Sequence, residues 1–134
     1  MDIMITADIR FLSNSTVVEL SDSAADIQKK LQSIGVLTTP SVIMLDNART
    51  LKIELTADDN TGENILKLVD FEQDTLGDVN RLCNYVCHMD YRDDMVFSEN
   101  LEKGEYKSLT EALKAAEKLK EQRRIKNKRH DMGR

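Results

Sequence analysis

The spacing of the apolar residues constrains the fold of this chain more than any other feature of its sequence. Apolar side chains alternate with polar ones in some segments, as strands require, and recur every three or four residues in others, as amphipathic helices require. Strands are predicted at 2–12, 16–20, 41–46 and 50–56. Helices are predicted at 23–34, 75–89 and 109–128. Residues 64–71 fit either a strand or a short helix, and we favour a strand.

These segments predict an α+β fold. We expect a small, mostly antiparallel sheet of four or five strands, two packed helices and a protruding C-terminal helix. Capping residues support the helix starts. Ser23 precedes the first helix, Asp74 or Thr75 precedes the second, and Ser108 with Glu111 forms an S-x-x-E capping box before the third. Residues 90–94 read as an acidic connector, followed by a short apolar piece at 95–97.

The charges divide the chain into two unlike regions. Residues 1–112 hold 21 Asp and Glu against 10 Lys and Arg, a net charge of −11. Residues 113–134 hold 3 acidic and 9 basic residues, a net charge of +6. We therefore predict an acidic α+β domain over 1–112 and a basic C-terminal helix or tail over 113–134. Aromatic residues make up only 4% of the chain and Trp is absent, which predicts an aliphatic core.

The sequence lacks the motifs of the common enzyme and cofactor sites. It contains no phosphate-binding glycine loop, no G-x-S-x-G and no H-E-x-x-H, so we expect neither enzymatic activity nor a cofactor. Cys83 and Cys87 lie one helical turn apart, and His88 points about 100° away from Cys87. Four zinc ligands are not available there, and a Cys–His nucleophile pair fails for the same geometric reason.

Cellular location is predicted from the same two cysteines and from hydropathy. Neighbouring turns of a helix rarely suit a disulfide, so free thiols in a reducing cytoplasm are expected. No run approaches the roughly 18 apolar residues of a membrane span, and the N-terminus lacks the pattern of a signal peptide. We expect a cytoplasmic protein without a membrane partner.

Acidic residues are concentrated in two segments, 54–78 and 90–111. Each carboxylate alone fits a solvated loop, but together they create a negative field that repels nucleic acid and attracts basic surfaces. The predicted partner-binding residues are Glu54, Asp58, Asp59, Glu63, Asp70, Glu72, Asp74, Asp78, Asp93 and Asp94. An acidic surface that serves only solubility is the alternative.

The basic tail has two interpretations. Lysines and arginines near a helix C-terminus interact favourably with the helix macrodipole, which is a purely structural explanation. Contact with nucleic acid is the functional explanation, although no aromatic residues are interleaved with the charges. The residues concerned are Lys120, Arg123, Arg124, Lys126, Lys128 and Arg129. The tail could also contact the acidic body of its own chain or of a second subunit.

Several stretches together resemble a known family. The chain resembles the N-terminal part of ArdA-type antirestriction proteins and their relatives on Gram-positive mobile elements. The resemblance lies in the order of its segments: a strand, a helix, a strand, an acidic loop and a helix that contains Leu and Asn. The segment 99–112 resembles the G-x-Y-x-S helix start of that group. These features lie in Thr16–Leu20, 23–34, Val42–Leu45, Asp74–Leu82 and Glu99–Ala112.

The resemblance implies an acidic DNA mimic that occupies the DNA-binding groove of a type I restriction–modification enzyme, typically as a dimer. Asn80 would match the family's helix Asn, and Asp58, Asp59, Asp70, Asp74 and Asp78 would supply mimic charge. The chain departs from the family in its shorter length and its basic tail. The expected partner is a host restriction–modification or other nucleic-acid-processing protein, with a homodimer possible. The runner-up function is an accessory protein that contacts nucleic acid through its basic C-terminal helix.

Overall fold

A three-stranded antiparallel sheet and five helices make up the part of the chain that the structure describes. The computed structural model describes residues 4–37, 39, 43, 45 and 51–132, with side chains as far as residue 122. The strands are β1 (Ile5–Phe11), β2 (Asn14–Leu20) and β3 (Leu51–Ala57). The helices are α1 (Ala24–Ser33), α2 (Asn60–Leu66), α3 (Leu76–Cys87), α4 (Tyr91–Glu102) and α5 (Leu109–Met132).

The sheet has the order β2-β1-β3, and both pairings are antiparallel. Alternation of side chains gives it one buried and one exposed face. Ile5, Ala7 and Ile9 of β1 are fully buried, and their neighbours Val18 and Ile53 on the flanking strands are also buried. Because the intervening positions are mostly polar, the opposite face of the sheet is open to solvent.

The prediction of four or five strands and two packed helices is wrong. Within the described residues there are three strands, and five helices instead of two with a C-terminal extension. The strand predicted at 41–46 lies mainly outside the described residues. Of that segment, Ile43 accepts a backbone hydrogen bond from Leu76 at 2.8 Å, and Leu45 donates one to Asp74 at 3.1 Å. Neither Ile43 nor Leu45 lies in a strand.

Residues 64–71 are not a strand, because a helix begins just before them. Asp59 is the N-cap of α2, and its carboxylate accepts the N–H of Gly62 at 2.6 Å. That carboxylate satisfies one of the N–H groups that the first helical turn leaves without a partner. Gly62 also packs directly against the carbonyl of Met4, where a Cβ atom would overlap the oxygen. The polar residues at 58–62 therefore form the start of a helix.

The acidic connector predicted at 90–94 is the start of another helix. Asp90 is the N-cap of α4, and its carboxylate accepts the N–H of Asp93 at 2.9 Å. Asp93 and Asp94 then occupy the first turn, where negative charge meets the positive end of the helix dipole. Phe97 and Leu101, one turn apart, are the buried residues of this helix. The predicted apolar piece 95–97 therefore belongs to α4.

The other three helices confirm the sequence prediction. Ser23 caps α1, and Thr75 forms a reciprocal capping box with Asp78 at the start of α3. Ser108 accepts the N–H of Glu111 at 3.2 Å where α5 begins. The apolar face of α5 packs against α3 through Leu109, Ala112, Leu113 and Ala116, which are all buried.

The core is aliphatic, as the composition predicts. Most of its fully buried large side chains are Ile, Leu and Val, and the aromatic exception is Phe97. The Phe97 ring packs on that of Tyr106 with the two centroids 5.2 Å apart. The helix α5 runs without a break across the predicted domain division between 112 and 113. That division stays a prediction.

Candidate acidic binding surface

Carboxylates gather at one end of the exposed face of the sheet. Asp8 on β1 lies directly opposite Glu54 on β3, so their Cβ atoms share one face. Thr6, two residues before Asp8 on the same face, lies opposite Glu19 on β2. The Thr6 hydroxyl donates a hydrogen bond to the carboxylate of Asp58 at 2.6 Å, which brings this side chain to the same end of the face.

The pairing of Asp8 with Glu54 slightly lowers the stability of the folded state. Like charges directly opposite each other in a sheet destabilise it, and a cross-strand pair contributes about 0.2–1 kcal/mol in either direction. Arg10 lies 3.9 Å from the Asp8 carboxylate, but it is itself directly opposite Lys52. The exposed face therefore has an acidic end and a basic end, instead of opposite charges paired across the strands.

The turn between β3 and α2 continues the acidic end of the sheet. Asp58 and Asp59 are both exposed, and each carboxylate also has a structural role through the hydrogen bonds to Thr6 and Gly62. Glu63 is exposed in the first turn of α2. The carboxylates in this turn therefore stabilise the helix start and still face solvent.

The loop between α2 and α3 divides its acidic residues between the surface and the interior. Asp70 and Glu72 are exposed, and the Asp70 carboxylate accepts the N–H of Glu72 at 3.0 Å. Asp74 is buried, and its carboxylate accepts the N–H of Asp70 at 2.7 Å. Burial raises the pKa of Asp74, and the nearby charges of Asp78 and Asp70 raise it further. Asp74 therefore holds the loop together and is not available to a partner.

Asp78, Asp93 and Asp94 are half-exposed at helix starts. The Asp78 carboxylate accepts the N–H of Thr75 at 3.2 Å, which completes the capping box of α3. The Asp94 carboxylate accepts the hydroxyl of Ser98 at 3.3 Å. Such local hydrogen bonds fix the positions of the carboxylates without neutralising their charge.

The predicted acidic residues lie outside the ion pairs of the described residues. Among the described residues, ion pairs join Arg10 to Asp8, Arg81 to Glu117 and Lys103 to Glu99. None of these pairs includes any of the ten predicted partner-binding carboxylates. Nine of the ten are exposed or half-exposed and one is buried, and no ion pair among the described residues neutralises any of them.

Asp8 and Glu19 also belong to the acidic end of the sheet, although neither is among the ten predicted partner-binding residues. A signal for both was present in the alternation of their strands. Asp8 lies between the apolar residues Ala7 and Ile9, and Glu19 lies between Val18 and Leu20. Both therefore point to the solvent side. Pairing of the two strands as a hairpin places them at the same end of that side.

Lys120, the first of the six predicted contact residues of the basic tail, lies over an aromatic ring. The ammonium of Lys120 lies 5.4 Å from the centroid of the Tyr85 ring, within range of a cation–π interaction. The Tyr85 hydroxyl donates to Glu117 at 3.3 Å, and Arg81 forms an ion pair with Glu117. A hydrogen bond involving Tyr85 raises the pKa of Arg81. The other predicted tail side chains, Arg123, Arg124, Lys126, Lys128 and Arg129, lie outside the described side chains.

A groove of about 360 Å³ lies between the end of α3, the start of α4 and the middle of α5. Its lining combines polar and apolar groups. The lining residues are Asn84, Tyr85, His88, Met89, Asp93, Ala116 and Lys120.

The two cysteines and His88 form no recognisable centre with the other described side chains. Cys83 is buried, and burial raises the pKa of its thiol to about 12. Cys87 is half-buried, and the His88 ring nitrogen Nδ1 lies 2.8 Å from the carbonyl of Asn84. Within the described residues, no group of three or more His, Cys, Asp and Glu side chains could hold a metal ion. No helix in that same part of the chain is long and apolar enough to cross a membrane.

Asn80, which the family resemblance singles out, has a structural role. Its side-chain oxygen accepts the backbone N–H of Asp22 at 2.9 Å, and its side-chain nitrogen donates to the carbonyl of Asp22 at 2.9 Å. This two-bond clamp attaches the connection between β2 and α1 to helix α3. The amide is therefore engaged within the fold.

Comparisons of the chain with protein-family models, with curated proteins and with solved structures found no match. The resemblance to ArdA-type proteins stays a prediction.

Proposed function

We propose that this chain is a non-enzymatic binding protein of a mobile element, which inhibits a host restriction enzyme or another nucleic-acid-targeting defence enzyme. The inhibitor would act as an acidic mimic that occupies the basic surface where the enzyme holds DNA. The observation that carries the proposal is the set of nine exposed or half-exposed carboxylates that take part in no ion pair among the described residues. The resemblance to antirestriction proteins supports the choice of target class.

The physical basis is the way in which such enzymes bind DNA. Phosphate contacts supply a large share of affinity, and each neutralised charge makes binding depend strongly on salt. Carboxylates held at the end of the sheet and at helix starts compete for the same lysines and arginines. The hydrogen bonds that fix Asp58, Asp59 and Asp70 reduce the ordering cost when a partner binds.

A competition experiment tests the proposal. A purified type I restriction enzyme is bound to fluorescent DNA, and the chain is added at increasing salt concentration. We expect the chain to displace the DNA and to bind labelled DNA poorly itself. Glu54→Gln with Asp58→Asn should weaken inhibition about tenfold, since two charge contacts are lost. The matched control, Asp26→Asn with Glu121→Gln, removes the same charge outside the two acidic segments and should inhibit like the unmodified chain. Equal loss in both variants would leave only a non-specific effect of net charge.

One observation favours a second candidate function. The helix α5 continues to Met132, 13 residues beyond Leu119, which is the last half-buried residue among its described side chains. A helix that is rich in Lys and Arg beyond this residue offers a positive surface for direct contact with nucleic acid. Tight DNA binding that disappears on deletion of residues 121–134 would establish this function and contradict the mimic.

A further inference from the structure

We draw no further inference here: the strongest candidate, the exposed apolar patch that Tyr91, Met95 and Val96 form on the outer side of α4, is bordered by charges of both signs, and nothing in the part of the chain that the structure describes shows what covers it.

Discussion

The clamp between Asn80 and Asp22 allows a quantitative test of the fold. Substitution of Asn80→Ala removes two hydrogen bonds of 2.9 Å and leaves the backbone N–H and C=O of Asp22 without their partner. A hydrogen bond contributes about 1 kcal/mol net, and these groups are partly buried. We therefore expect the free energy of unfolding to fall by about 2 kcal/mol.

Urea unfolding followed by circular dichroism measures this change. With a slope of about 2 kcal/mol per molar urea, the midpoint should shift down by about 1 M while the slope stays constant. Asn84→Ala is the matched control, since Asn84 is exposed on the same helix one turn further on. It should change stability by less than about 0.5 kcal/mol. A similar effect in both variants would refute the assignment of a structural role to the Asn80 side chain.

Three further predictions follow from packing and burial. Gly62→Ala should lower the free energy of unfolding by about 3 kcal/mol in urea titrations, because its Cβ atom would overlap the carbonyl of Met4. Burial raises the pKa of Asp74 above 3.8, so the stability that its protonation provides is present below that pH and is lost as pH rises through the raised pKa. Asp74→Asn replaces the carboxylate with a neutral group that still accepts a hydrogen bond. Unfolding titrations should therefore find the variant more stable than the unmodified chain at about pH 7. The variant should also lose less stability than the unmodified chain between acid and neutral pH. The Cys83 thiol, with its pKa of about 12, should resist a thiol reagent that labels the half-buried Cys87, and mass spectrometry of native and urea-unfolded protein should find one and two labels.

Helices that begin with a strong cap and continue with regular apolar spacing could be predicted from the sequence. Ser23, Thr75 and Ser108 mark three such starts, and in each case the structure places the cap where the pattern indicates. Local chemistry is sufficient here, because both the cap and the apolar face lie within a few residues of the helix start.

The two missed helices have caps that resemble loops in the sequence. Asp59 and Asp90 stand among other acidic residues, and an aspartate-rich segment favours a turn as readily as a helix start. In α2, the glycine at position 62 also suggests a loop, although it packs closely against the carbonyl of Met4, the residue before β1. In α4, only Phe97 and Leu101 are buried. Two apolar positions are too few to distinguish a helix from a connecting segment in the sequence.

The surface could be predicted only in part. The density of acidic residues along the chain predicts most of this surface, but density cannot distinguish a buried carboxylate from an exposed one. Asp74 enters the interior because the loop folds around it, which depends on contacts that its neighbours in sequence do not reveal. Asp8 and Glu19 join the acidic end of the sheet through pairing of the strands. Strand register decides both the composition and the shape of this surface.

The continuous helix α5 makes the molecule an electrical dipole. From Leu119 to Met132 the helix rises by about 20 Å, whereas electrostatic interactions are screened over about 8 Å at physiological ionic strength. Charges at the two ends of this span are therefore screened from each other. An approaching partner responds to the local charge of the end that it meets, and not to the net charge of −5. The electric field of a charged partner exerts a torque on this dipole, which orients the molecule relative to the partner before the two make contact.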